Sequence, residues 1–220
     1  MDPIKAKLET FCRKMNKLAA ELEEFRKEIN AEGYRETEAA LRDCLEQLEG
    51  KIGNVVGKRI RFGDMEWTVL DQEEDRLFIV LSSLLPDAYE FDHDCRNVWA
   101  KSSLRDDLHK WLEEWSEASG VEDYLLSMST VSMNEAAEVL GTSTDRVRLL
   151  TLEEQLRYRR LGYLPKYDDW QWTITATRNY AHNAWIVYAG GDVDAYNAYS
   201  AYRCAPSVCI SLEAPFEQIN

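Results

Sequence analysis

The chain of 220 residues contains no apolar run of about 18 residues, the minimum for a membrane-spanning helix. Its first residues, MDPIKAKLETF, are charged and amphipathic and lack the apolar core of a secretory leader. The expectation is a protein made and kept in the cytoplasm, unless a phage particle or a signal-independent route carries it out. No basic patch is present: the densest run, Arg157, Arg159 and Arg160, falls on an expected helix and reads as a solvated face. With a formal charge of -14 the chain repels polyphosphate, so nucleic acid is not expected as a partner. Metal ligands are sparse too. Cys12, Cys44, Cys95, Cys204 and Cys209 lack the paired CxxC spacing of a zinc site, and free buried thiols are expected. Asp87, Asp92, His93 and Asp94 offer oxygen ligands without a calcium-loop signature, so an exposed acidic loop is expected and no metal or other cofactor is assigned. His93, His109 and His182 have no sequence neighbours that form a nucleophile and base, and no nucleophile elbow occurs. The chain therefore reads as a non-enzyme.

What is present is aromatic. Apolar residues make up 45% of the chain and aromatics 11%, with seven Trp and eleven Tyr, a composition that folds. The length suggests one domain plus an accessory segment. Ile4, Leu8, Phe11, Met15, Leu18, Leu22, Phe25 and Ile29 step by four and three, the seam of a coiled coil or a long amphipathic helix. Gly33 ends it, and a second helix to about Gly50 places Leu41, Cys44, Leu45 and Leu48 on one face. Residues 1–52 are thus expected as a helical segment, either self-associating into an oligomer or closing as a hairpin within one chain.

Residues 55–220 carry a different texture. Short β-like runs at Lys58 to Phe62, Met65 to Asp71 and Arg76 to Ser82 are broken by Gly63-Asp64 and by Gln72 to Asp75, as in a β-meander. From Ser102 the pattern is helical, with Leu104, Leu108, Trp111, Leu112 and Trp115 in one stripe. Thr151 with Glu154 forms a capping box before a helix from Leu152 to Arg160. After Trp170 the chain is β-like again, through Ala184 to Tyr188, the Gly190-Gly191 turn, and Val208, Ile210 and Leu212. The expected class is α+β, a mostly antiparallel sheet with flanking helices.

Between Arg178 and Arg203 the residues are almost only Tyr, Asn, Ala, Asp, Ser and Gly. Tyr and Trp give contact area at low rotamer cost, and Asn, Ser and Gly give adaptable hydrogen bonds, the chemistry of antibody-type paratopes. Tyr196, Tyr199 and Tyr202 fall at every third position, a period that fits neither strand nor helix. An irregular surface loop is expected there, with its tyrosines turned to a partner. Arg178 and Arg203 are expected to frame it through bidentate bonds.

The order of short motifs also carries a resemblance. Trp67-Thr68-Val69-Leu70-Asp71, Trp99, Ser102-Ser103-Leu104-Arg105, Trp111-Leu112, Val147 to Glu154, Trp172, the hairpin from Ala184 to Val193 and Tyr202 to Val208 together resemble a bacterial and phage family of uncharacterised function. That family is predicted to have a C-type-lectin-like fold related to the formylglycine-generating-enzyme domain, and the resemblance spans Val55 to Leu212. Members serve as variable proteins of diversity-generating retroelements, whose reverse transcriptase mutates adenines near the end of the gene. The resemblance implies a C-type-lectin-like ligand-binding domain with a variable-type region at about 170–212. Its implied ligand-binding positions are Asn179, Tyr180, His182, Asn183, Tyr188, Asp192, Asp194, Tyr196, Asn197, Tyr199, Ser200 and Tyr202, whose residue types are similar to that mutational output. The ligand would be a protein or a surface glycan. The Glu-Pro-Asn and Trp-Asn-Asp triplets of calcium-dependent lectins are absent. Paired oxidase cysteines at Cys204 and Cys209 are disfavoured because positions five apart on a strand face opposite ways. The alternative is an invariant phage or mobile-element structural or interaction module with one fixed protein partner.

Overall fold

Gly63 and Asp64 are the two residues of a tight turn, and they fold the first β-like runs onto each other. In the computed structural model, which describes residues 53–188 and 190–219, strand β1 (Arg59–Phe62) pairs antiparallel with β2 (Met65–Gln72), opening at Phe62 opposite Met65. Gly63 has φ +61°, and a Cβ there would lie 2.9 Å from the Trp115 ring, so both the turn and the packing require glycine. Strand β3 (Arg76–Leu81) completes the meander. The chain continues through β4 (Tyr89–Glu90), helix α1 (Ser103–Ser119), β5 (Leu125–Leu126), β6 (Met128–Met133), β7 (Val139–Asp145) and β8 (Val147–Arg148). Helix α2 (Leu152–Arg160) follows, then β9 (Gln171–Ala176), β10 (Asn183–Val187), β11 (Val193–Asn197), β12 (Ala201–Tyr202), β13 (Ser207–Ser211) and β14 (Phe216–Ile219).

The principal sheet runs β14-β1-β2-β3-β13-β5, with β8 also paired to β13, and it curls into a half-barrel. Three smaller sheets are β11-β10-β9, β12-β4 and the hairpin β6-β7. Alternation sorts the principal sheet's side chains into two cores. Trp67, Val69, Leu77, Ile79 and Leu81 enter the main one, while Leu70 and Val80 join Leu150, Tyr158, Tyr167 and Ala205 in a second.

Helix α1 begins where the Ser102 hydroxyl accepts from the Arg105 N–H, and it ends at Gly120 in the left-handed conformation. Leu104, Leu108, Leu112 and Trp115 are buried along one side, each contributing about 1.5–3 kcal/mol by leaving water. Trp115 packs on Phe62 and Trp67, with ring centres 5.9 and 5.4 Å away. The carboxylate of Asp145, wholly buried, ties α1 to the β6-β7 hairpin by accepting from Arg105 Nε (2.6 Å), Ser143 Oγ (2.8 Å) and Trp99 Nε1 (3.1 Å), with His109 Nε2 at 3.2 Å. Helix α2 carries the full capping box of Thr151 and Glu154, and the Glu154 carboxylate also holds Arg148 in a bidentate pair at 2.7 Å.

The expected α+β, C-type-lectin-like class is corrected. Among the described residues there are two α-helices against fourteen strands, and the architecture is mostly antiparallel β around a half-barrel sheet. The Met-, Ser- and Thr-rich stretch from 128 to 145 is a β-hairpin, and β14, beyond the last expected strand, closes onto β1. The helical segment expected over residues 1–52 lies outside the described residues.

Candidate binding face

Every residue of β9 is buried, so this strand is a fixed floor. Its neighbour β10 pairs with it and with the edge strand β11, and the registers form cross-strand rows. One row is Trp172, Ile186 and Asp194, and Ala184 stands opposite Tyr196. Two residues along, Trp170 and Tyr188 meet at 5.2 Å between ring centres, and the Tyr188 N–H donates to the Asp192 carbonyl at 2.9 Å. Trp170, Tyr188, Asp192, Asp194 and Tyr196 therefore share the face whose inner members Trp172, Ile186 and Ala184 are buried in the main core, and only its rim along β11 reaches solvent.

An aromatic series connects that face to the core. Trp99 meets Phe91 at 6.4 Å, Phe91 meets Trp172 at 5.5 Å, Trp172 meets Tyr202 at 5.1 Å, and Tyr202 meets Tyr196 at 5.4 Å. Trp99, Phe91 and Trp172 are fully buried, Tyr202 is half-buried and Tyr196 is 46% exposed. Burial pushes the Tyr202 phenol up to about 12, helped by the Tyr196 hydroxyl and the charges of Asp194 and Asp169. Tyr202 is thus the hinge between packing and display.

The connection from β9 to β10 is held from beneath. Asn97, buried, directs its amide NH2 at the carbonyls of Thr177 (3.1 Å), Tyr180 (3.0 Å) and Asn183 (2.9 Å). The Thr177 hydroxyl reaches the same Tyr180 and Asn183 carbonyls at 2.6 and 2.9 Å. With the backbone turned inward, the side chains of Asn179, Tyr180 and His182 face solvent. The Ala198 N–H donates to the His182 carbonyl, and the Asp92 N–H to the Ala198 carbonyl, so this loop, the turn after β11 and the 92–96 loop form one unit. The Asn197 side-chain oxygen accepts from Cys95 Sγ at 2.8 Å and from the Tyr199 N–H at 3.3 Å.

Arg178 gives its N–H to the Glu135 carboxylate (2.9 Å) and Nη2 to Glu138 (2.9 Å), which anchors the loop to the tip of the β6-β7 hairpin. Arg203 lies 3.7 Å from Asp169. Neither guanidinium makes the expected bidentate pair: Arg178 meets Glu138 through Nη2 alone, and Arg203 meets Asp169 through Nε alone.

Of the twelve candidate positions none is buried. Tyr188, Asp192, Asp194, Tyr196 and Tyr202 gather on the sheet face. Asn179, Tyr180 and His182 stand together on the loop beyond its far end, with Asn183 at the start of β10, and Tyr199 and Ser200 on the adjoining turn. Asn197 differs, because its side chain is used in holding the turn. The irregular loop expected across 195–202 is corrected to strand, turn and strand. The Tyr triplet works because Tyr196 lies on β11, Tyr199 in the turn and Tyr202 on β12, which pairs with β4 opposite Tyr89.

The positioning residues Asn97, Cys95 and Asp92 were not legible as such. Asp92 belonged to the loop expected to be exposed, yet its carboxylate is wholly buried and accepts from Arg96 N, Nε and Nη2 and from Ser103 N. Burial alone would raise its pKa, but these hydrogen bonds outweigh it and hold the group below the usual range. Among the described residues no three His, Cys, Asp or Glu side chains converge as metal ligands. Burial pushes the Cys204 and Cys209 thiols up, away from the reactive thiolate. No described helix is long and apolar enough to cross a membrane. Comparison with family models, curated proteins and solved structures finds no match to this chain.

Proposed function

We propose that this chain is a non-catalytic recognition protein whose ligand face is the exposed rim formed by the edge strand β11 and the loops that flank β10. One observation carries the proposal: Tyr180, Tyr196 and Tyr199 are 59%, 46% and 59% exposed, on the edge strand and loops of a sheet whose far strand, β9, is buried along its whole length. Exposed rings on a rigid scaffold lose little conformational freedom when a partner covers them, which is how aromatic-rich paratopes gain affinity. The finer part of the proposal, carried by the resemblance, is that a retroelement diversifies this face. The layout suits such a mechanism, since Asn179, Tyr180 and His182 extend from a loop whose anchors, Asn97 and Thr177, hold backbone carbonyls and lie outside the varied set, and Asp192, Tyr196, Tyr199 and Ser200 reach solvent beside it. Asn197 and Tyr202 are the members whose replacement would disturb the fold.

The test has two arms. The full-length protein is panned against a random-peptide phage library beside a Tyr180/Tyr196/Tyr199→Ser variant that retains a cooperative melt. Peptides that bind the parent and not the variant support a recognition face, and selections indifferent to the three tyrosines refute it. For diversification, the gene's neighbourhood is sequenced for a reverse transcriptase and a near-copy of the 3′ end differing only at adenines. Their absence removes that part and leaves a fixed-partner module.

A further inference from the structure

The rim along β11 carries two exposed carboxylates, Asp192 and Asp194, next to exposed rings. Asp192 and Asp194 lie two residues apart on the edge strand side of the face, about 7 Å from one another at strand spacing. Neither makes an ion pair with another described residue. Asp194 Oδ1 accepts from the Ala195 N–H at 2.8 Å, which caps part of the strand edge and disfavours pairing with an added strand there. Asp192 accepts the Tyr188 N–H at its backbone carbonyl, and the Asp194 charge bears on the Tyr202 phenol, which packs on the exposed Tyr196 ring. Asp168 and Asp169 add negative charge at the Trp170 end, where Arg203 faces Asp169. The other nearby cation, Arg159, packs beneath Gly191 with its Cδ 3.1 Å from where a Cβ would be.

A ring face attracts a cation through its quadrupole, and a carboxylate at its rim adds direct attraction. Neutral glycans would leave these carboxylates unmatched, and acidic ligands would be repelled by them. Resting on the recognition role above, we infer that the partner of this face is an extended basic segment of a protein, with Lys or Arg at alternate positions. Such a segment spaces its same-side cations by the same distance as Asp192 and Asp194. One cation meets Asp192, and the next meets Asp194 beside the exposed Tyr196 ring.

Peptides recovered by the panning above are sequenced, and the most frequent one is synthesised with a fluorophore. Its affinity is measured by anisotropy for the full-length parent and for Asp192→Asn/Asp194→Asn, a change that keeps side-chain shape. The expected result is enrichment of Lys and Arg at alternate positions. The double variant should bind about ten-fold more weakly, and the parent should lose a similar factor at high salt, where exposed charges are screened. Tyrosine-dependent peptides that are neutral or acidic, or that bind the double variant equally well, overturn the basic-partner inference and leave the recognition role standing. Selections that ignore the tyrosines overturn both.

Discussion

Tyr196, Tyr199 and Tyr202 are spaced alike in sequence and differ in what they touch, so replacing each with serine separates display from packing. Tyr202 is half-buried, with rings of Trp172 at 5.1 Å and Tyr196 at 5.4 Å. Each such edge-to-face pair contributes about 0.5–1.5 kcal/mol beyond burial. Covering roughly 100 Å² of ring adds at most about 2.5 kcal/mol, an upper bound because the unfolded chain is itself partly collapsed. Tyr202→Ser is therefore expected to cost about 3 kcal/mol. Tyr196→Ser loses one ring pair from a side chain already half in water, for about 1 kcal/mol. Tyr199, 59% exposed and without a ring partner among the described residues, should stay within about 0.5 kcal/mol. Urea unfolding followed by tryptophan fluorescence reads the three directly. Thermal melts should show a loss of about 10 °C for Tyr202→Ser and about 2 °C or less for Tyr199→Ser. Equal losses at 199 and 202, or a harmless Tyr202→Ser, would refute the division between scaffold and display.

Asn97→Ala removes both amide hydrogens from three loop carbonyls and should cost about 2 kcal/mol, with faster amide hydrogen exchange at residues 178–183 and weaker capture of any face-dependent peptide. Unchanged exchange there would mean that Thr177 alone holds the loop. Asp145→Ala leaves Arg105, Trp99 and Ser143 facing a vacated buried site, so denaturant unfolding should show a loss of about 3–5 kcal/mol, while Asp106→Ala, on the exposed side of the same helix, should be close to neutral. The phenols of Tyr158 and Tyr202 are pushed up to about 12 from 10.0, chiefly by burial, so the folded state favours their neutral forms. Their contribution is intact below pH 10 and is lost as pH rises toward 12, which alkaline denaturation monitored by phenolate absorbance will read. Stability unchanged across that window would contradict it.

Elements whose signal is local were legible in the sequence. The Thr151 and Glu154 box starts α2 because both partners lie within one helical turn. The stripe of Leu104, Leu108, Leu112 and Trp115 declares α1 because each member needs the same neighbour, the core. The β-meander followed from alternation around Gly63-Asp64. The class did not follow, because α1 and α2 are flanked by strands whose patterns are weak. The β6-β7 hairpin buries the polar Thr130 and Ser132 and leaves Val139 and Leu140 exposed, which hides its alternation, and β4, β5, β8 and β12 have two residues each, too few for any period.

The candidate face divides in the same way. Composition alone set what it is made of, Tyr, Asn, Asp and Ser between two arginines, because side-chain chemistry belongs to the residue wherever it lies. Which of those side chains face a partner was decided only by folding. Asn97 reaches carbonyls 80 to 86 residues away, and Cys95 meets Asn197 across 102. The pairing of Tyr202 with Tyr89 turns one tyrosine of the triplet inward and leaves the other two in water. Contacts of that separation depend on how the sheets close around a common core, and no stretch of chain short enough to read as a motif contains both partners.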